Sequence, residues 1–346
     1  RSKVRSRLVA DQLVKLIKEA DHVVIMGHRM SDLDAIGAAE GVLRICKICD
    51  VPAVIAVRRD ATLAASLIDA LCKAGQKDDF IDPKEALPII SKRTLCIVVD
   101  TYQAGLVESK DILEKCGKVA VIDHHRKGVG YIENPALVCH EPYSSSASEL
   151  VTELLQYVGE RDDKPNRVEA EGLLAGILLD TQDFTLHTGV RTFEAAAALR
   201  RYGAETERVR RLFDVTMVEY NAKADLVEKA QMYKNCAISI GGEVAPEARV
   251  AIAQAANDLL RIQGVDASFV AVQVGNGVNV SARSMGAVNV QVIMESLGGG
   301  GHQTMAAAQL KHITPQAARS RIQDAIDQYY LSQKKTTPEA RPAKGK

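Results

Sequence analysis

Four short apolar runs punctuate the first part of the chain: "HVVIMG" (22–27), "AVIAV" (53–57), "LCIVVD" (95–100) and "VAVID" (119–123). They are continuous rather than alternating, so each predicts a strand covered on both faces, as in a parallel sheet. Between them the spacing of apolar positions lengthens to that of helices, over 8–20, 34–49, 61–74 and 106–115. Three more helical stretches follow at 145–158, 166–180 and 191–201, the last stopped near Gly203. Strands and helices in alternation predict a doubly wound, mostly parallel α/β domain.

A charged helical stretch over 205–233 then changes the pattern. The segments "CAISIG", "ARVAIAQAA" (248–256), "ASFVAVQVGNGVNVSARS" and "AAAQL" predict a second, smaller and mostly β sheet with helices. A hairpin is expected to turn at Asn276-Gly277. The expected organisation is one domain over 1–204, a helical connection over 205–232, a second α/β domain over 233–331 and a disordered tail over 332–346. Two domains also suit 346 residues, more than a single core usually holds.

Composition narrows the function more than the fold. Basic and acidic residues balance at 44 each, which argues against a grip on long nucleic acid and favours a short or small ligand. Aromatic residues make up only 4% and Trp is absent, which argues against a stacking platform for single strands. No apolar run reaches the roughly 18 residues of a membrane span, and no signal peptide is present. A chain opening on Arg1 rather than Met reads as a fragment or processed form. The seven cysteines sit partly in apolar runs and read as reduced thiols of a cytosolic protein. Cys46 and Cys49 form one C-x-x-C with no second pair at zinc spacing, so they are expected to be core residues.

The chemistry gathers at the predicted strand ends. "MGHRMSDLDAIGAAEG" (26–41) places His28, Asp32 and Asp34 just after the first strand. Asp100 closes the third strand, Asp123, His124 and His125 close the fourth, and Asp180 closes the helix "LLAGILLD". In open α/β sheets the carboxyl ends of the strands form the ligand crevice. Taken singly, Asp34 or Asp100 reads as a helix cap or turn residue, and His124 as an ordinary histidine. Taken together, Asp32, Asp34, Asp100, Asp123 and Asp180 on one rim would repel one another without a counter-charge. Divalent cations are the simplest remedy, and carboxylates with imidazoles but no thiolate suit Mn(II) better than a structural zinc. Ser144 to Ser146, followed by Glu149, read as a helix cap with a capping box.

These motifs carry a resemblance. The D-x-D at 32–34, the isolated Asp100, "DHH" at 123–125, Asp180 and "GGGGH" at 298–302 look like the DHH phosphoesterase superfamily and its associated C-terminal domain, over roughly residues 8–330. "MGHRMSDLDAIGAA", "VIDHHRKG", "SSSASELVTELL", "AGILLDTQDF" and "SARSMGAVNVQVIMESLGGGGHQTMAAAQL" are similar to its GdpP- or YybT-type branch, the membrane-anchored cyclic-di-AMP phosphodiesterases. The resemblance implies two Mn(II) ions, with magnesium or cobalt as substitutes. His28, Asp32 and Asp100 would hold the first, and Asp34, Asp100, His124 and Asp180 the second, with Asp100 bridging. Asp123 would orient the imidazoles, and His125 would face a substrate phosphate. Water activated by the two metals would open cyclic-di-AMP to linear pApA.

Arg283, His302 and the glycines Gly298, Gly299, Gly300 and Gly301 are the candidates for holding the rest of the substrate, in a cleft between the domains. Arg283 also reads as an ordinary exposed arginine, and the glycine run as a loose hinge. The branch implies a cytoplasmic catalytic part, carried at the cytoplasmic face of the cell membrane by segments absent from this chain. Its partner is a cyclic dinucleotide rather than long nucleic acid, with a homodimer left open. A short-oligonucleotide phosphodiesterase of the nanoRNase type, a pyrophosphatase and a non-catalytic cyclic-dinucleotide sensor remain as alternatives.

Overall fold

A computed structural model describes residues 3–125, 130–160, 163–243, 250–301 and 303–336. The chain divides into two compact units between Asp214 and Val215. In the first, β1 (His22–Met26), β2 (Ala53–Ala56), β3 (Phe80–Ile81), β4 (Thr94–Val99), β5 (Lys118–Asp123) and β6 (Leu137–His140) form a sheet in the order β3-β2-β1-β4-β5-β6. Every neighbouring pair is parallel. The helices are α1 (Lys3–Glu19), α2 (Leu33–Ile48), α3 (Ala65–Leu71), α4 (Pro83–Ala86), α5 (Lys110–Lys115), α6 (Ala147–Leu155), α7 (Arg167–Thr181), α8 (Val190–Arg201) and α9 (Thr206–Arg211).

The apolar runs explain themselves in the packing. Val23, Ile25, Leu95, Ile97, Ala120 and Ile122 face one hydrophobic cluster, while Val24, Met26, Cys96, Val98 and Val121 face the other. Both faces are covered, as parallel strands require. Two edge strands escape the sequence pattern: β3 has only two residues, and β6 is buried only at alternate positions along its four. The stretch expected as a helix over 61–74 is shorter: α3 ends at Leu71 and passes into a wider turn over Cys72–Gln76, with Gly75 at φ +93°. Cys46 is buried in α2 and Cys49 caps its end, and all seven cysteines are free thiols.

The second unit holds α10 (Met217–Glu228), β7 (Gln231–Tyr233), β8 (Cys236–Glu243), α11 (Val250–Leu259), β9 (Ala267–Val274), β10 (Gly277–Ser284), α12 (Val290–Ser296), β11 (Gly300–Gly301), β12 (Met305–Lys311) and α13 (Pro315–Thr336). Its sheet runs β11-β12-β10-β9-β8-β7, antiparallel except between β8 and β9. From 250 onward the apolar run at 248–256 supplies one of the helices of this unit, with Ala251, Ala255, Ala256 and Leu259 buried along one face. The hairpin turns one residue earlier than expected. Val274 pairs with Gly277, leaving Gly275-Asn276 as the loop, and Gly275 takes the positive φ of +55° that such a tight turn needs. The connection expected over 205–232 is shared out. Val209 of α9 packs into the first unit's core and Leu226 of α10 into the second's. Helix α13 continues through Thr336, into the stretch expected as tail, because Gln333, Lys334 and Lys335 are good helix formers.

Candidate metal centre

The sheet order reverses direction between β1 and β4, and there the carboxyl ends open a crevice. His28 lies two residues beyond β1 and Asp100 directly follows β4. Asp123 ends β5, and His124 and His125 follow it. Asp100 adopts φ +58°, a left-handed conformation that aspartate tolerates better than most residues, and its N–H donates to Ile122 O at 2.9 Å.

The two acids of the D-x-D divide their work. Asp32, in extended backbone, caps α2: its Oδ1 accepts from the amides of Asp34 at 3.0 Å and Ala35 at 3.1 Å. The cap is therefore Asp32 and not Asp34, the residue that reads as a cap by sequence. Asp34 lies in the first turn, fully buried, and faces α6. Its Oδ2 accepts from Ala147 N at 2.7 Å and its Oδ1 from Ser148 N at 2.8 Å. The first free amides of α6, the positive end of that helix, thus hold a carboxylate from α2. Ser146 caps α6, accepting from Glu149 N at 3.0 Å. Glu149 turns back to accept from Ser144 Oγ at 2.8 Å, Ser145 N at 3.2 Å and Thr192 Oγ1 at 2.7 Å. The expected cap at Ser144–Ser146 is borne out, and Thr192 is a further anchor that sequence spacing does not reveal.

Asp100 stands at the centre of the cluster. Its Oδ2 is 3.4 Å from His28 Nε2, and its Oδ1 is 3.3 Å from His124 Nε2 and 3.6 Å from His125 Nδ1. His124 Nε2 also lies 3.0 Å from Asp180 Oδ2 and 3.9 Å from Asp34 Oδ2, and His28 Nε2 lies 3.9 Å from Asp32 Oδ1. Donor atoms within 4.8 Å of one another form three overlapping sets: His28 with Asp32 and Asp100, Asp34 with Asp100, His124 and Asp180, and Asp100 with His124 and His125. Asp123 stands outside all three. Its Oδ1 takes His125 Nδ1 at 2.9 Å and His125 N at 3.2 Å, and His140 Nε2 meets the His125 carbonyl from behind.

Charge is unevenly shared here. Burial lifts Asp34 well above the usual carboxylate range, with Asp100 and Asp180 adding to the rise. Burial also lifts Asp180, against the pull of His124. For Asp100 burial is outweighed by His124 and His28, which hold it well below the ordinary value. Burial would lower His28, but Asp100 and Asp32 drive it up to about 10. His124 is raised in the same way by Asp100 and Asp180. Opposite shifts among touching groups mark carboxylates that compete for too little positive charge.

The donor atoms fit a cation. Among the described residues Asp100 Oδ1 and His124 Nε2 are buried without a hydrogen-bond partner, although 3.3 Å apart. Buried polar atoms are normally satisfied. Left unsatisfied beside other acid and imidazole donors, they fit the ligands of one ion.

The remaining candidates lie in the second unit. Arg283 in β10 is partly buried rather than exposed, and burial pushes its guanidinium down to about 10. Its Nη1 donates to Ser281 Oγ at 3.1 Å and to Ala282 O at 2.9 Å. The glycine run is no loose hinge. Gly298, at φ +79°, follows α12, and Gly300–Gly301 form an edge strand on β12. A Cβ at Gly299 would lie 2.2 Å from Ala307 O and one at Gly301 2.4 Å from Ala306 Cα, so the approach of β12 demands both glycines. His302 lies outside the described residues.

Fold and cluster together define an α/β protein with an acid–histidine cluster that could hold a metal at the switch point of a parallel sheet. The chain belongs to the DHH family: the family's N-terminal domain matches residues 22–177 and the DHHA1 domain matches 245–331. It is 45% identical over 335 residues to the cyclic-di-AMP phosphodiesterase GdpP of Geobacillus thermodenitrificans NG80-2. It is 42% identical over 339 residues to that of Bacillus subtilis 168. Each alignment takes in 95% of this chain and 51% of the relative, so the chain spans about half the length of the curated relatives it matches. Among solved structures it resembles an exopolyphosphatase-related protein from Bacteroides fragilis, with a TM-score of 0.81 at 19% identity, over 94% of this chain and 98% of the other. That likeness is one of fold. Among the described residues no helix is long and apolar enough to cross a membrane.

Proposed function

We propose that this chain is the catalytic part of a metal-dependent phosphodiesterase that opens cyclic-di-AMP to linear pApA. The observation that carries the reading is Asp100, whose two oxygens face different imidazoles and which belongs to all three donor sets. In this reading His28, Asp32 and Asp100 take one divalent cation, and Asp34, Asp100, His124 and Asp180 take a second. Manganese is the proposed ion, because oxygen and imidazole donors without thiolate suit it. When bound, such a pair of ions lowers the pKa of water and offsets charge that develops on a phosphoryl group.

The chain's own side chains orient the reaction. Asp123 holds the partly exposed His125 ring at Nδ1, and His125 is proposed to face a substrate phosphate. Arg283, the Gly298–Gly301 run and His302 are proposed to hold the rest of the nucleotide. The relatives' names support the choice of cyclic-di-AMP. The work is proposed to take place on the cytoplasmic side, with the full-length protein at the membrane.

Turnover of cyclic-di-AMP, cyclic-di-GMP, pApA and a short RNA, each with manganese and measured side by side, tests this. Cyclic-di-AMP should be cut fastest, with pApA accumulating. Faster cleavage of pApA or of the short RNA would move the assignment to a short-oligonucleotide phosphodiesterase. Tight binding of cyclic-di-AMP without cleavage would make the chain a sensor.

A further inference from the structure

Helices α2 and α7 pack unusually close, and each carries a pair of glycines four residues apart, Gly37 with Gly41 and Gly172 with Gly176. A Cβ on Gly37 would lie 2.5 Å from Gly172 O, so the two backbones touch there. The neighbours of the α7 pair differ. A Cβ on Gly172 would meet only the end of a flexible side chain, Leu67 Cδ1 at 3.0 Å. A Cβ on Gly176 would lie 2.3 Å from Ser148 Oγ, 2.7 Å from Asp34 Oδ1 and 2.8 Å from Asp34 Cα. The last is backbone and cannot swing away.

Asp34 is thus gripped on two sides. The Ala147 and Ser148 amides pull on its oxygens, and the bare Cα of Gly176 leaves just the room its carboxylate needs. Any side chain at 176 would push Asp34 out of this seat. We infer that Gly176 is a positioning residue for Asp34, and that through Asp34 it sets the affinity of the donor set Asp34–Asp100–His124–Asp180 for a divalent cation while leaving His28–Asp32–Asp100 untouched. The inference rests on the two-cation reading, so the test must separate the two.

The test is binding of manganese(II) alone to the full chain, followed through the paramagnetic resonance signal of the free ion, with thermal unfolding of each metal-free variant beside it. Wild type should take up two ions. Gly176→Ala should keep one at wild-type affinity and weaken the other by at least about tenfold, the scale on which misplaced support of a ligand acts. Gly172→Ala should bind like wild type, since alanine is the better helix former and its contact can yield. Should Gly176→Ala unfold, the double variant Gly176→Ala/Ser148→Ala removes the 2.3 Å contact with Ser148 Oγ and leaves those with Asp34. It should recover the fold and still lack the second ion. A wild type that binds fewer than two ions would defeat the two-cation reading itself. Two ions bound normally by a folded Gly176→Ala or double variant, or equal weakening of both ions, would overturn the role given to Gly176 alone.

Discussion

Asp100 Oδ1 lies 3.3 Å from His124 Nε2, yet among the described residues neither atom has a hydrogen-bond partner. Two buried polar atoms so placed would ordinarily pair. With Asp100 Oδ2 also 3.4 Å from His28 Nε2, Asp100 belongs to donor groups on both sides and is the pivot of the centre.

Removing that pivot's charge should stop the chemistry without unfolding the protein. Asn keeps the shape of Asp100 and tolerates φ +58°. Asp100→Asn is therefore expected to lower turnover of cyclic-di-AMP by more than ~100-fold. Its metal-free unfolding midpoint should stay within about 5 °C of wild type. Near wild-type turnover in the variant would contradict the bridging role.

Away from the centre, Glu40 predicts a pH-dependent stability. It is buried in α2, with Oε2 accepting from Gln76 Nε2 at 3.2 Å and Oε1 unpartnered among the described residues. Burial, with Glu169 and Asp79 adding to it, pushes it from 4.5 up to about 8, while Lys47 and Arg44 oppose the rise. An acid with a raised folded pKa binds its proton more tightly when folded, so stability falls as pH rises from about 4.5 to about 8. Glu40→Gln cannot ionise. Relative to wild type it should gain on the order of 2 kcal/mol between pH 5 and pH 8 in urea unfolding. A difference that stays constant across that window would contradict the assignment.

Arg283 should act on grip rather than on chemistry. Arg283→Ala is expected to lower kcat/KM for cyclic-di-AMP by roughly 10- to 100-fold, the value of a lost charged contact to substrate. Bis(p-nitrophenyl) phosphate, which lacks the distal nucleotide, should change by less than about threefold, and manganese uptake should not change. Equal losses on both substrates would place Arg283 in the chemical step or in the fold.

Legibility followed the physics of each element. Strands β1, β4 and β5 could be read because burial on both faces leaves continuous apolar runs, and the ligand candidates because most sit at or just beyond the ends of those strands. Edge strand β3 was too short to show a pattern, and β6 is buried only at alternate positions. Within the D-x-D, Asp34 reads as the cap of α2. Backbone geometry chose Asp32, and Asp34 went to amides 113 and 114 residues away, a tertiary choice that no local spacing records. The glycines of α7 looked alike in sequence, and only the packing separates Gly172 from Gly176.

The most direct measurement is an anomalous difference map at the manganese edge from crystals grown with manganese. Two peaks are expected, on either side of Asp100: one within ligand distance of His28 and Asp32, the other within ligand distance of Asp34, His124 and Asp180. A single peak, or two peaks that do not share Asp100, would contradict the two-cation centre.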